Sequence, residues 1–150
     1  MGTCLFCKIV AGTVAAATVW EDAATLVFLD HRPLFPGHCL VIPKMHYETL
    51  TDLPAEMVGP LFGIVRLVAT AVEQAVDSDG SLVAINNRVS QSVPHLHIHV
   101  VPRRKKDGLR GFFWPRQKYE GTAEMERVRD RLRETIGRLS ANQEIGNAPG

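Results

Sequence analysis

The amino-acid sequence predicts an α+β fold, in which one long helix packs on one face of an antiparallel sheet and a C-terminal helix follows. Two observations lead to this prediction. Short runs rich in β-branched and aromatic residues follow one another at hairpin-like spacing, which favours antiparallel strands. One stretch of more than 20 residues between these runs repeats its apolar side chains every three or four positions, as one face of a helix does.

Five strands are predicted, over residues 18–21, 25–30, 39–42, 81–86 and 95–101. Only three residues separate the first two strands, which predicts a hairpin. Pro102 is expected to end the last strand, because proline has no amide hydrogen for a strand ladder. The polar segment 87–94, just before that strand, is typical of an active-site loop.

The long helix is predicted over residues 54–76. Its apolar face is formed by Leu61, Val65, Val68, Val72 and Val76. Asp52 is expected to cap its N-terminus, with Pro54 in the first turn, and Pro60 is expected to start or kink it. A second, charged helix is predicted over residues 122–139, after an aromatic patch at 112–114 that is expected to cover a core or a partner.

The length of 150 residues fits one domain. We expect a single domain over residues 1–140, with a C-terminal extension from about residue 109 and a flexible tail over 141–150. The 17 Lys and Arg residues nearly balance the 16 Asp and Glu residues, so no global charge attracts nucleic acid or a membrane. We expect no segment to span a bilayer, which takes roughly 20 apolar residues, and no secretory signal. The sequence therefore predicts a cytoplasmic protein.

Three histidines alternate with aliphatic residues in the run His95-Leu96-His97-Ile98-His99. Successive side chains of a strand point to opposite faces, so the histidines share one face. Imidazoles are a costly lining for a core unless a polar group meets them, which makes this face a candidate site. A row of surface histidines or a metal site are the alternatives. No Asp or Glu lies between Asp79 and Asp107 to complete a metal site, so metal-dependent hydrolysis has no further support.

Cys4 and Cys7 form a Cys-x-x-Cys pair, and the third cysteine, Cys39, is interpreted as a buried small residue. In a chain without an export signal, such a pair indicates metal or redox chemistry before a disulfide framework. Two thiolates supply half of the ligands of a tetrahedral zinc ion. A redox pair and two buried thiols stay open as alternatives.

Four segments together resemble the histidine triad (HIT) family. The histidine run with Val100-Val101 is similar to its His-x-His-x-His signature, which ends in two apolar residues. The other segments are Gln91-Ser92-Val93, Phe28-Leu29-Asp30 and the run from Gly37 to Lys44, which resembles Gly-His-x-Leu-Val-Ile-Pro-Lys. The resemblance covers residues 4 to about 115. Ser90 stands where the family has glycine, so we expect a backbone conformation there that serine reaches only at some cost.

The resemblance implies nucleotide hydrolysis or nucleotidyl transfer through a covalent nucleotidyl-histidine. The substrate would be a nucleotide conjugate, a dinucleoside polyphosphate or a phosphoramidate, with a purine base favoured. The middle histidine, His97, would attack the alpha-phosphorus, since a neutral imidazole is a good nucleophile near pH 7. The other catalytic residues implied are His99, Ser92, Gln91 and His38. A nucleotide-binding regulatory module with little turnover is the alternative function.

The resemblance also implies a set of nucleotide contacts, namely Phe28, Asp30, Asn86, Ser92, His97 and His99. Asp30 would accept hydrogen bonds from the ribose hydroxyls, although a turn residue before Pro33 is the alternative for it. Asn86 is preferred to Asn87 because it ends a predicted strand. Gln91 and Ser92 would donate hydrogen bonds to phosphoryl oxygens.

Zinc-containing members of the family imply a structural zinc site here. Its four ligands would be Cys4, Cys7, His46 and His95. Four protein ligands leave no open position for water or substrate, so the ion would stabilise the fold without reacting. The family resemblance further implies a homodimer.

Overall fold

The computed structural model describes residues 2–109 and 117–146. The chain forms two compact units, Met1–Leu109 and Arg110–Gly150. The first unit contains the sheet and all of the candidate site residues. The predicted aromatic patch at 112–114 lies outside the described residues, and the predicted division into a domain and a tail stays a prediction.

The first unit is built on a five-stranded antiparallel sheet with the order β1-β2-β3-β5-β4. The strands are β1 (Thr18–Glu21), β2 (Thr25–Leu29), β3 (Cys39–Pro43), β4 (Gly80–Ala84) and β5 (Ile98–Arg103). The predicted α+β class is therefore confirmed. The hairpin between β1 and β2 is also confirmed, with Asp22 Oδ1 accepting hydrogen bonds from the amides of Ala24 and Thr25 in its turn.

The predicted bounds of the last strand are wrong at both ends. β5 begins at Ile98 instead of His95, and it continues through Pro102, which pairs with Ser81 of β4. Pairing with β3 covers only Ile98 to Val100, so Pro102 extends past the end of β3. Its missing amide hydrogen therefore costs no bond on that side, which is how a proline is tolerated in a strand.

One face of the sheet packs against helix α2 (Ala55–Ala75). The buried helix residues are Leu61, Val65, Val68 and Val72, as the spacing predicted. The predicted cap is wrong: Pro54 occupies the N-cap position, and Asp52 instead closes a 3-10 helix over Leu50–Asp52. There its carboxylate accepts hydrogen bonds from the amide and hydroxyl of Thr49, at 2.9 and 2.6 Å. Pro60 lies inside the helix, not at its start.

Length and composition alone would let α2 cross a membrane, and no other described helix meets that test. Glu56, Arg66 and Glu73 interrupt the apolar residues of this helix, and the expectation that no segment spans a bilayer stays a prediction. In the structure, one side of α2 is buried against the sheet, which is the packing of a core helix.

The opposite face of the sheet packs against a short helix that the sequence analysis missed, α1 (Leu5–Val10). Phe6 of α1 is buried with residues of β2 and β3 in a second apolar cluster. Cys4 is the N-cap of α1, and its Sγ accepts a hydrogen bond from the amide of Cys7 at 3.4 Å. The Cys-x-x-Cys pair therefore lies on the first turn of a helix beside the histidine face.

The second unit contains helix α3 (Thr122–Gly146), which is longer than the predicted 122–139. Residues 141–146 are helical, and the rest of the predicted tail lies outside the described residues. The extension of about two turns follows from residues such as Ala141, Gln143 and Glu144, which are good helix formers.

Candidate active site

The histidine run is held in place by backbone bonds before β5 begins. The amide of His95 donates to the carbonyl of Val93 at 2.8 Å, and the amide of Leu96 donates to the carbonyl of Tyr47 at 2.6 Å. These bonds replace the β-ladder, which explains the late start of β5. The predicted alternation still holds, because Leu96, Ile98 and Val100 are buried in the cluster that includes α2.

His97 presents one specific ring nitrogen for chemistry. Its Nδ1 lies 2.7 Å from the carbonyl oxygen of His95, and a carbonyl can only accept, so Nδ1 carries the proton. The lone pair is then on Nε2. Only 3 % of His97 is exposed, with Phe6 edge-on to its ring at a centroid distance of 5.2 Å. The ring is thus fixed in both tautomer and orientation.

A chain of two hydrogen bonds fixes the tautomer of His99. The amide of Leu34 donates to Nδ1 of His38 at 3.1 Å, so the proton of His38 lies on Nε2. That Nε2 lies 2.9 Å from Nδ1 of His99 and donates to it. His99 therefore carries its own proton on Nε2, which has no acceptor among the described residues, beside His97, whose ring centroid is 5.0 Å away.

Burial keeps the imidazoles of His38 and His99 neutral near pH 7. It is the main cause that lowers the pKa of His99 to about 4, with repulsion from His97 and His38 adding to it and Asp30 opposing it. Burial likewise lowers the pKa of His38, against the attraction of Asp30. His99 can therefore donate a hydrogen bond from its Nε2–H while the ring stays uncharged.

Asp30 lies at the end of β2, close to this pair. Its Oδ1 accepts a hydrogen bond from the amide of Arg32 at 2.9 Å, and its Oδ2 lies 3.8 Å from Nε2 of His38. The turn role considered from the sequence is therefore confirmed in its geometry. One carboxylate oxygen still faces the histidine pair, and the ribose contact stays a prediction.

Phe28 is buried on the histidine side of the sheet. Phe6 packs edge-on against it at a centroid distance of 5.4 Å and against His95 at 5.9 Å. Phe6 therefore connects Phe28 to the histidine run and forms a wall of the site. The sequence analysis missed Phe6, although its position between Cys4 and Cys7 was a signal. The nucleotide contact of Phe28 stays a prediction, since only 4 % of this residue is exposed.

Two side chains in and beside the loop before the histidine run have surroundings that the sequence did not predict, and their nucleotide contacts stay predictions. Gln91 was expected to donate to phosphoryl oxygens, but its amide nitrogen donates to the carbonyl of Glu48 at 2.6 Å and its oxygen accepts from the amide of Arg88 at 2.8 Å. Asn86 was chosen because it would end a strand, yet β4 ends at Ala84. Ser92 is exposed, and its hydroxyl makes no hydrogen bond with the part of the chain that the structure describes.

Ser90 adopts a left-handed backbone conformation with φ of 60°. The expectation of a costly conformation at this position is therefore confirmed. A side chain with a β-carbon crowds the following carbonyl in this region, which is why glycine is usual there. Arg88 in the same loop has φ of 67°, so the loop contains two such residues.

Cys4, Cys7, His46 and His95 form one cluster, with all ligand atoms within 4.8 Å of one another. The Nδ1 of His95 lies 3.5 and 3.6 Å from the two sulfur atoms, and the Nδ1 of His46 lies 3.3 Å from that of Cys7. Tetrahedral zinc, with bonds of about 2.3 Å to sulfur and 2.0–2.1 Å to nitrogen, would separate such pairs by about 3.6 Å. The donor set therefore fits a tetrahedral metal ion.

The second ring nitrogen of His95 supports this fit. Its Nε2 donates to the carbonyl of Pro43 at 2.8 Å, so the lone pair lies on Nδ1 and faces the sulfur atoms. A hydrogen bond of this kind commonly orients a metal-ligating histidine. Burial lowers the pKa of His95, which also keeps Nδ1 free of a proton.

Asp30, His38 and His99 form a second, three-residue cluster with the same 4.8 Å limit between ligand atoms, but its protons do not suit a metal. The Leu34 amide holds the His38 proton on Nε2, between the two rings. A metal ion at this position would need that nitrogen without its proton. The donor set therefore disfavours the metal-dependent hydrolase considered from the sequence.

A sequence-family comparison matches residues 12–106 to the HIT domain. This chain belongs to the HIT family. The match covers more than half of the chain and includes β1 to β5 with α2. It confirms the family and the α+β fold that the resemblance implied.

Among HIT proteins, adenylylsulfatase HINT3 of Arabidopsis thaliana is 39% identical over 108 residues, which is 71% of this chain and 55% of that protein. The chain thus spans about half the length of that relative. Adenosine 5'-monophosphoramidase hnt1 of Schizosaccharomyces pombe is 33% identical over 75% of this chain and 84% of its own length. A zinc-bound histidine triad protein from Mycobacterium smegmatis is a similar solved structure, with a TM-score of 0.69, 36% identity and coverage of 94% and 98%.

The HIT fold brings the predicted residues together in three groups. The first is the metal cluster of Cys4, Cys7, His46 and His95; the second is the row of His97, His99, His38 and Asp30; the third is the loop with Gln91 and Ser92. Phe28 is buried beside the row, Asn86 is half-buried after the end of β4, and their nucleotide contacts stay predictions. The tautomers were beyond sequence reasoning, since they depend on carbonyls and amides distant in sequence.

Proposed function

We propose that this HIT protein is a nucleotide hydrolase or nucleotidyl transferase that attacks the alpha-phosphate of a nucleotide conjugate through a covalent nucleotidyl-histidine at His97. The observation that carries the proposal is the bond between His97 Nδ1 and the carbonyl of His95, because it leaves the lone pair on Nε2. A neutral imidazole with a fixed lone pair is an activated nucleophile near pH 7.

In the first step, Nε2 of His97 forms a bond to the alpha-phosphorus while the bond from phosphorus to the leaving group breaks. The leaving group departs with the electron pair of that bond and takes a proton from solvent or a nearby donor. In the second step, water or an acceptor alcohol attacks the phosphorus and loses a proton, and the nitrogen–phosphorus bond breaks. His97 returns to its neutral form, so atoms and charge balance over the cycle.

His99 and Ser92 would stabilise the charge that develops on the phosphoryl group. His99 offers an N–H donor whose position is set by His38 and Leu34, so little reorganisation is needed during reaction. The hydroxyl of Ser92 has no partner within residues 2–109 and 117–146, so it can donate to a bound phosphoryl group. Asp30 would accept hydrogen bonds from the ribose at the β2 end of the site. Because His97 is nearly buried, bulk water has little access to the nucleophile before substrate binds.

The names of the two enzyme relatives support the class of substrate. One is called an adenylylsulfatase and the other an adenosine 5'-monophosphoramidase. Both names contain an adenosine 5'-phosphoryl group, with a different leaving group in each. We therefore propose a purine nucleotide conjugate, including phosphoramidates and dinucleoside polyphosphates, with the phosphoryl part recognised more strictly than the group it loses.

We propose a structural zinc ion at the cluster of Cys4, Cys7, His46 and His95. Zinc is supported by the chemistry of two thiols with two imidazoles and by the zinc-bound relative from Mycobacterium smegmatis. When bound, the ion would link α1 and the segment at His46 to the residue two positions before His97. The homodimer stays a proposal based on the family resemblance, and the cytoplasmic location stays a proposal based on the sequence. Sedimentation of the purified chain would test the dimer.

The decisive experiment is to mix the protein with an adenosine 5'-phosphoramidate or a dinucleoside polyphosphate, quench within one turnover and measure the mass of the intact chain. We expect an increase equal to one nucleotidyl group, located on a peptide that contains His97. The His97→Ala variant should bind the nucleotide and form no adduct. A wild-type chain that binds both nucleotides without forming an adduct would contradict catalysis and support the regulatory module.

A further inference from the structure

Two carboxamide side chains fasten the loop before the histidine run to the segment 48–52. Oδ1 of Asn87 accepts a hydrogen bond from the amide of Leu50 at 2.9 Å. Gln91 donates to the carbonyl of Glu48 at 2.6 Å. The segment 48–52 is separated from the loop by the whole of α2 and β4, so these bonds connect parts of the chain that are distant in sequence.

The loop needs such bonds because its backbone is strained. Arg88 and Ser90 both have positive φ, which residues other than glycine populate sparsely. Conformations of this kind persist only when the surrounding structure determines them. Arg88 also lies 3.9 Å from Asp52, but both side chains are substantially exposed, and an exposed ion pair contributes little. The carboxamide bonds are therefore the stronger restraint.

The segment 48–52 is itself well fixed. Thr49 is fully buried, and its hydroxyl and amide both donate to Asp52. The neighbouring carbonyl of Tyr47 accepts the amide of Leu96, directly before His97. One rigid segment thus holds the loop that carries Ser92 on one side and the backbone of the nucleophile on the other.

We propose that Asn87 is a positioning residue, which fixes the hydroxyl of Ser92 relative to Nε2 of His97 through its bond to Leu50. This inference rests on the proposed function, because it assigns Ser92 a donor role in nucleotidyl transfer. Asn87 was passed over in the sequence analysis in favour of Asn86. Its effect is on the rate of bond formation at phosphorus, since displacing a group from its reactive position by about 1 Å can cost 100-fold.

Two substitutions separate the hydrogen bond from the rest of the side chain. Asn87→Asp keeps an oxygen that accepts from Leu50, whereas Asn87→Ala removes it. We expect Asn87→Ala to slow single-turnover adduct formation by about 10- to 100-fold, with KM changed by less than about threefold. Asn87→Asp should stay within about threefold of the wild type. Val89→Ala is the control, because Val89 lies in the same loop, is 81% exposed and should leave the rate unchanged.

Urea unfolding of each variant shows whether the fold is intact, and amide hydrogen exchange reports the loop directly. We expect faster exchange at Leu50 and in residues 88–92 for Asn87→Ala, with protection retained in Asn87→Asp. The proposal is overturned if Asn87→Ala reacts at the wild-type rate, or if the Asp and Ala variants are equally slow. If the wild type forms no adduct, the proposed function fails. In that case, unchanged hydrogen exchange in Asn87→Ala would also reject the role of the Asn87–Leu50 bond in holding the loop. Increased exchange would show that this bond does hold the loop, independently of the proposed function.

Discussion

Each end of the histidine row places two imidazoles beside other potential metal ligands, two thiols at one end and a carboxylate at the other, and the two ends differ in where their imidazole protons lie. At one end, the proton of His95 is on Nε2, bound to the carbonyl of Pro43, and Nδ1 faces two sulfur atoms. At the other end, the amide of Leu34 forces the proton of His38 into the space between His38 and His99. Both clusters have their ligand atoms within 4.8 Å, yet only the first is suited to a metal ion.

This comparison shows that the partner of the second ring nitrogen decides what a histidine can do. A carbonyl partner on Nε2 turns His95 into a ligand through Nδ1, and a carbonyl partner on Nδ1 turns His97 into a nucleophile through Nε2. For His99 the effect is indirect. The amide of Leu34 donates to Nδ1 of His38, and Nε2 of His38 donates to Nδ1 of His99, which leaves the proton of His99 on Nε2 as a donor. Residue type and spacing are the same in all three cases, so backbone polarity makes the difference.

The largest effect is expected at the metal end. Cys4→Ser keeps a side chain suited to the N-cap of α1 but removes a thiolate ligand. We expect the zinc-loaded protein to lose its ion and about 4–5 kcal/mol of unfolding free energy, as is usual when a structural metal site is lost. Urea unfolding with metal analysis measures both. A chelator should lower the stability of the wild type and have little further effect on the variant. Equal stability of zinc-loaded wild type and variant would contradict a structural metal here.

The next effect is expected at the other end, where the change should leave the metal untouched. His99→Ala removes the proposed donor to the phosphoryl group, and we expect adduct formation to slow by about 100- to 1,000-fold. Nucleotide affinity should change much less. Zinc content should equal that of the wild type. Loss of metal in His99→Ala would show that the two ends are not independent.

A smaller effect is expected from pH. The pKa of His99 is lowered from 6.5 to about 4 by burial, and the pKa of His38 is lowered in the same direction. The unfolded chain therefore binds more protons than the folded one between these values, and stability falls as pH falls from about 6.5 towards 4. Unfolding free energy measured across that range should decrease less in His99→Gln than in the wild type. Identical slopes would argue against a neutral His99 in the folded protein.

The smallest effect is expected in the loop 87–94, which precedes the histidine row. Ser90→Gly relieves the left-handed conformation at φ of 60°, and we expect a gain of up to about 1 kcal/mol in unfolding free energy. Val89→Gly is the matched control, since Val89 has no positive φ and should lose stability through unfolded-state entropy. A loss of stability in Ser90→Gly similar to that of Val89→Gly would show that the conformation at Ser90 is not strained.

The sequence predicted the elements whose cause is local. Apolar spacing located α2, hairpin spacing located β1 and β2, and the glycine expected at position 90 indicated the strained loop. Features that depend on distant partners were missed. Leu96 bonds to Tyr47 instead of a strand, and Gln91 bonds to Glu48 instead of remaining free. No spacing rule contains these partners, because each is brought close only by the complete fold.

His95 serves two sites with different parts of the same residue. Its ring faces the sulfur atoms, whereas its main-chain carbonyl holds the proton of His97. Every amino acid has that carbonyl. A different residue at position 95 would therefore no longer bind the metal ion, but its carbonyl would still hold the proton of His97 on Nδ1. Homologues can therefore lose the metal site during evolution and keep the nucleophilic histidine in its reactive tautomer.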